Sequence, residues 1–127
     1  MLMNNRIGIV GLGYVGLPLA RLFATKYSVV GFDINQSRVD ELNNGNDFTL
    51  EISKEQLQDV LVVAPSEKNG LFCSTNIDDL APCNYYIITV PTPVDKNNRP
   101  DLKPLYKSSE TVGKVLKKGD KIGRAHV

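Results

Sequence analysis

The chain is predicted to be an α/β fold with a doubly wound parallel sheet, on three observations. An apolar run, Ile7-Gly8-Ile9-Val10, leads directly into Gly11-Leu12-Gly13-Tyr14-Val15-Gly16. A second apolar run closes in Asp33, 17 residues after Gly16. Strand-like and helix-like segments then alternate through a further run, Tyr85-Tyr86-Ile87-Ile88-Thr89-Val90. That alternation is the pattern of parallel strands joined by crossover helices. Strand, glycine turn, helix, strand and acid in that order make the sheet Rossmann-like.

The glycine turn has a job for each residue. Gly11 allows a tight turn, Gly13 lets the backbone approach a pyrophosphate, and Gly16 lets the next helix pack closely on the sheet. Tyr14 and Val15 complete the turn, where a helix start offers unpaired N–H groups and a positive dipole end to phosphates. The competing reading is a turn that serves packing alone. The order of the flanking elements favours a dinucleotide. In the helix that follows, Val15, Leu19, Leu22 and Phe23 recur at helical spacing and are expected to form the face on the sheet. Pro18 lies near the helix start, where a missing N–H does least harm.

The run Ser28–Phe32 is apolar after its first residue, as a parallel strand covered on both faces should be. Asp33 at its carboxyl end can accept hydrogen bonds from both hydroxyls of an adenosine ribose and would repel a 2′-phosphate, which favours NAD over NADP. The alternative for Asp33 is a cap on the next helix, from Ser37 onward. Residues 36–44 read as a short polar helix ending at Gly45, and 43–49 as a polar turn. Ser53 and Gln56 form a capping box for a helix through about Leu61. Residues 65–70 read as loop, Leu71-Phe72-Cys73-Ser74 as a third strand, and 76–80 as a helical turn stopped by Pro82. Residues 85–90 are β-favouring and apolar, a fourth strand. Residues 110–116 read as helix, and 117–121 should lead into a fifth strand. No internal repeat or low-complexity segment interrupts the pattern.

Val90-Pro91-Thr92-Pro93-Val94-Asp95 follows the fourth strand, where ligands of open α/β sheets bind. Two prolines hold Thr92 extended, so its hydroxyl could reach a pyrophosphate or the nicotinamide-side ribose. A plain connector toward Pro100 and Pro104 explains the same residues equally well.

Composition bounds the remaining classes. The chain has 127 residues, 42% hydrophobic and 23% charged, which suits one soluble α/β domain. A net charge of +1 gives no electrostatic case for nucleic acid or an anionic membrane. No apolar stretch approaches the roughly 20 residues that span a bilayer. The start, Met1-Leu2-Met3-Asn4-Asn5-Arg6, has no signal-peptide core, and a cytoplasmic location is expected. Cys73 and Cys83 are too few for a disulfide framework and lack metal spacing, so both are expected to be reduced and structural.

Three segments together resemble one family. Gly11-Leu12-Gly13-Tyr14-Val15-Gly16-Leu17-Pro18, then Phe32-Asp33-Ile34-Asn35 with Arg38, then Val90-Pro91-Thr92-Pro93-Val94-Asp95 are similar to the amino-terminal, NAD-binding domain of UDP-glucose/GDP-mannose dehydrogenases. Lys96-Asn97-Asn98-Arg99-Pro100-Asp101-Leu102 resembles the branch acting on UDP-N-acetylhexosamines. The resemblance implies that Val15 contributes its backbone, Asp33 holds the adenosine ribose, Arg38 lies over or beside the adenine and ribose with its planar guanidinium, and Thr92 contacts the cofactor. The cofactor-binding candidates are therefore Gly11, Gly13, Tyr14, Val15, Gly16, Asp33, Arg38 and Thr92.

The family oxidises C6 of a nucleotide sugar to a carboxylate with two NAD, through a cysteine thiolate that lies in a later domain. Neither Cys73 nor Cys83 matches that cysteine's motif, so no catalytic or metal residue is assigned. The resemblance further implies a UDP-sugar substrate and a homo-oligomer for the full-length protein. Residues 1–121 are read as an incomplete NAD-binding domain, truncated before its later strands. Residues 122–127, Ile-Gly-Arg-Ala-His-Val, resemble a translated sequencing adapter and are expected to be non-native, so His126 receives no role. UDP-glucose or GDP-mannose dehydrogenases, and a non-catalytic dinucleotide-sensing domain, are the alternatives. A methyltransferase is disfavoured by Gly16 and the Pro91-Thr92-Pro93 loop.

Overall fold

The computed structural model, which describes residues 5–65, 68–90, 94 and 96–124, has a parallel sheet with a hydrophobic cluster on each face. The strands are β1 (Arg6–Val10), β2 (Ser28–Phe32), β3 (Gly70–Ser74), β4 (Tyr85–Ile88) and β5 (Lys121–Arg124). They pair in the order β3-β2-β1-β4-β5, and every pairing is parallel. One face of the sheet, with Ile7, Ile9, Val29, Leu71 and Cys73, packs under three helices. These are α1 (Gly16–Ala24), α2 (Gln36–Asn43) and α3 (Lys54–Val60). The other face, with Val10, Val30, Phe32, Tyr86 and Ile88, meets Leu80 of a short 3-10 turn and Val112 of α4 (Lys103–Val115). Helices on both faces make the sheet doubly wound, as expected. The chain reverses direction across the sheet between β3 and β4, so the crevice beyond the carboxyl ends of β1 and β4 is where a ligand fits.

Local signals account for most elements. Asn35 caps α2 by accepting from the Arg38 N–H, and Gly45, with φ +82°, follows its end. Ser53 and Gln56 form the expected capping box of α3. Asn76 caps the 3-10 turn Ile77–Leu80. Two expectations need correction. The buried face of α1 is Gly16, Leu17, Ala20 and Ala24, while Leu22 is 60% exposed and Leu19 and Phe23 are only partly covered. Small alanines let the helix approach the sheet, which a search for large apolar residues overlooks. The last helix begins at Lys103 rather than Glu110, with Pro104 in its first turn. A proline there loses no intrahelical bond, so it opens the helix instead of ending a connector.

β5 takes in Ile122, Gly123 and Arg124, part of the segment set apart in the sequence, and all four of its residues are exposed. Its pairing with β4 is made by the backbone, which places no demand on side-chain identity. Among the described residues no helix is long and apolar enough to cross a membrane.

Candidate functional site

The turn after β1 is held from beneath by side chains distant in sequence. Gly11, at φ +102°, adopts a conformation that favours glycine, and its N–H donates to Phe32 O at 2.8 Å. The Thr89 hydroxyl, at the end of β4, donates to Gly11 O at 2.7 Å. The Leu12 N–H donates to Asp33 Oδ2 at 3.0 Å, and Arg38 Nε donates to Leu12 O at 2.7 Å. A Cβ at Gly16 would collide with the Gly11 carbonyl and the Thr89 hydroxyl, so this glycine is required by the close approach of helix and turn. Gly13 differs: a Cβ there would meet nothing within 4 Å. Packing alone does not call for glycine at 13, whereas a ligand brought against the backbone does.

A cleft of about 410 Å³ opens above this turn, with Gly11, Gly13, Asp33 and Thr89 on one wall and Lys103 and Lys107 of α4 on another. The N–H groups of Gly13, Tyr14 and Val15 have no protein partner among the described residues. Val15 starts α1 without a side-chain cap, and no acidic residue occupies its first turn. Tyr14 is 66% exposed beside them. Free donors at a positive helix end form a site for anionic oxygens, and the open space at Gly13 admits them. These residues fit the pyrophosphate of a dinucleotide.

Asp33 sits at the same crevice. Its Oδ1 accepts from the Asn35 N–H at 2.9 Å, while Asn35 itself performs the capping of α2. The cap that competed for Asp33 in the sequence thus belongs to its neighbour. A carboxylate has about four acceptor positions, so two backbone bonds leave capacity for ribose hydroxyls.

Arg38 sits beneath the glycine turn. Its side chain is buried rather than open over the cleft, because its donors are drawn to protein acceptors. Nε bonds Leu12 O, and Nη1 bonds Glu41 Oε2 at 2.8 Å and Asp47 Oδ1 at 2.9 Å. Asp47 also accepts from the Thr49 hydroxyl and from the N–H groups of Thr49, Glu51 and Ile52. Burial by itself would raise the Asp47 pKa. The Thr49 hydroxyl, Arg38 and the N–H groups of Ile52 and Thr49 outweigh it and hold the carboxyl below its ordinary value. Sequence reasoning missed both Asp47 and Thr89. The one available signal was a hydroxyl closing an apolar strand at 89; nothing local marks Asp47.

Thr92 lies outside the described residues. Both cysteines are buried and free; burial pushes the Cys73 thiol up to about 12 and the Cys83 thiol up to about 11. Neither supplies a thiolate near neutral pH. Among the described residues no group of His, Cys, Asp and Glu could hold a metal ion.

Fold, glycine turn and acid together define a dinucleotide-binding α/β domain. Residues 5–123 match the UDP-glucose/GDP-mannose dehydrogenase family, NAD binding domain. The chain belongs to this family and is an NAD-binding domain of it. It is 52% identical over 115 residues to UDP-N-acetyl-D-glucosamine 6-dehydrogenase of Pseudomonas aeruginosa, covering 91% of this chain and 25% of that protein. It is 49% identical over 114 residues to Protein CapL of Staphylococcus aureus, covering 90% and 25%. Among solved structures, the UDP-D-ManNAc dehydrogenase of Pyrococcus horikoshii superposes with TM-score 0.83 at 32% identity, covering 95% of this chain and 28% of that one. GDP-mannose dehydrogenase of Pseudomonas aeruginosa, with TM-score 0.81 at 23% identity over 95% and 28%, shares the fold. The chain spans about a quarter of the length of the curated relatives it matches.

Proposed function

We propose that the whole protein is an NAD-dependent dehydrogenase that oxidises C6 of a UDP-N-acetylhexosamine from alcohol to carboxylate, for surface-polysaccharide synthesis. The observation that carries this reading is the 52% identity to a UDP-N-acetyl-D-glucosamine 6-dehydrogenase across 91% of the chain. When bound, NAD supplies the hydride acceptor. The backbone N–H groups of Gly13, Tyr14 and Val15 hold its pyrophosphate, Gly11 and Gly16 give the turn its shape, and Asp33 holds the adenosine ribose. Thr92 is proposed to contact the cofactor beyond β4. The groups that bind sugar and form the thiolate intermediate are assigned to the remainder of the protein, since the two thiols here are buried and protonated. A cytoplasmic location, a homo-oligomeric whole protein and a non-native segment at 122–127 complete the reading.

The test is NADH formation by the full-length gene product with UDP-N-acetylglucosamine, UDP-N-acetylmannosamine, UDP-glucose and GDP-mannose. Turnover is expected with an N-acetylated sugar. Turnover confined to UDP-glucose or GDP-mannose overturns the substrate assignment, and none with any sugar overturns the enzyme assignment.

A further inference from the structure

Helix α4 carries three aliphatic hydroxyls, and one of them is unlike the others. The Ser109 hydroxyl donates to Leu105 O at 2.9 Å, and the Thr111 hydroxyl donates to Lys107 O at 3.0 Å. Both are spent on their own helix, a common arrangement for serine and threonine in helices. The Ser108 hydroxyl makes no hydrogen bond among the described residues, although Ser108 is only 7% exposed. It shares the inward side of α4 with Val112, four residues on, where alanine would satisfy packing and favour the helix more. A buried hydroxyl left unbonded is unfavourable, so one kept at such a place calls for a partner. Ser108 lines the cleft, and its oxygen is not sealed from it. The partner within reach is therefore a ligand in the cleft.

The rest of the cleft decides which part of a dinucleotide arrives there. With phosphate oxygens at Gly13 and ribose hydroxyls at Asp33, the base carried by that ribose falls to the remaining lining. Much of that lining is apolar, with Phe32, Ile34, Val90 and Pro104. Ile34 follows Asp33 directly and is exposed, an uncovered apolar side chain at the cleft. Adenine is flat and uncharged, so its faces suit such surroundings. Its rim, with ring nitrogens N1, N3 and N7 and the 6-amino group, needs hydrogen bonds where water is displaced. A rotatable hydroxyl can donate to a ring nitrogen or accept from the amino group. Thr111 also lines the cleft, but its hydroxyl is committed to Lys107 O.

We propose that Ser108 is a binding residue for the adenine of the dinucleotide, its buried hydroxyl forming a hydrogen bond with the polar rim of the base. This role rests on the NAD site described above and extends that site from the glycine turn and Asp33 to α4.

The experiment titrates the 127-residue chain and its Ser108→Ala and Ser109→Ala variants with ADP by calorimetry. The same titrations use the 1-deaza, 3-deaza, 7-deaza and 6-desamino analogues of ADP, each of which lacks one polar group of the base rim. Ser108→Ala should melt no lower than the parent, since alanine favours the helix, and should bind ADP about fivefold more weakly. At least one analogue should bind the parent about fivefold more weakly than ADP. In Ser108→Ala that analogue and ADP should bind within about twofold of each other, because the hydroxyl it would have met is gone. Ser109→Ala should bind every nucleotide as the parent does. ADP affinity unchanged in Ser108→Ala would overturn the proposal. So would weakening in which each analogue keeps its parental disadvantage, since the hydroxyl would then shape the cleft without touching the base. Equal weakening by Ser109→Ala would place the effect in the helix and overturn it as well. A parent chain that binds neither ADP nor NAD would overturn the NAD site itself, and the role of Ser108 with it.

Discussion

β2 and β5 lie in one parallel sheet, yet all five residues of β2 are buried and all four of β5 are exposed. β2 has neighbours on both edges and side chains packed above and below, and its end delivers Phe32 O and Asp33 to the glycine turn. β5 has one neighbouring strand, β4, and its Ile122 is 54% exposed. The difference shows what fixes a binding backbone. Pairing sets direction, while burial and side-chain bonds set position closely enough to aim a peptide N–H. The half of the sheet around β2 is accordingly where the cofactor machinery stands, and the β5 edge only extends the sheet.

The buried side of the turn is most sensitive at Gly16. Gly16→Val would force a side chain into the Gly11 carbonyl and Thr89 hydroxyl, separating α1 from the β1–β4 end. The expected loss is about 3 kcal/mol or more, enough to unfold a marginal domain, and thermal melting followed by circular dichroism checks it. A melting temperature within a degree of the parent's would show that the close approach carries no weight.

Gly13→Val separates binding from folding, because its side chain enters open space. Stability should change by less than about 1 kcal/mol, while NAD affinity falls about 100-fold as the branched side chain excludes the pyrophosphate. Calorimetric titration with NAD measures the second effect. Retained affinity would reduce the turn to a packing element. Taken with Gly16→Val, this result sharpens the contrast between the underside of the turn, which the protein fills, and its upper side, which it leaves open.

Asp33→Asn should have a smaller and more selective effect. Removing the charge takes away the repulsion of a 2′-phosphate and weakens acceptance from ribose hydroxyls, so the preference for NAD over NADP should narrow about tenfold. Asparagine keeps an oxygen for one of the two backbone donors, Leu12 and Asn35, and the turn should survive. An unchanged ratio of the two affinities would move discrimination away from this residue.

These contrasts also explain what could be read from sequence. The runs at β1 and β2, the glycine turn, the capping box at Ser53 and the stop at Gly45 are local patterns whose chemistry lies within a few residues. Arg38, Asp47 and Thr89 act across 26, 9 and 78 residues of chain, to Leu12, Arg38 and Gly11 respectively. No spacing rule reaches that far. The resemblance found Arg38 by position, but only the fold shows that its guanidinium faces inward. The α1 face was misread for a related reason. Burial of Ala20 and Ala24 depends on how closely helix and sheet approach, which is a property of the packed pair and not of the helix pattern.

The smallest effect belongs to the β5 edge. Ile122→Ser removes an apolar side chain that is already half in water, from a strand held by its pairing to β4. Its expected cost is within about 0.5 kcal/mol, and NAD affinity should not change. Hydrogen exchange gives the sharper measurement. Amides of β2 should open only with the whole domain, since neighbouring strands and both layers must part to expose them. Amides of β5 should exchange through local fraying that leaves the cleft intact. Protection at β5 equal to that at β2 would mean that the edge is bound into the same cooperative unit, and burial would no longer account for the difference between the two strands.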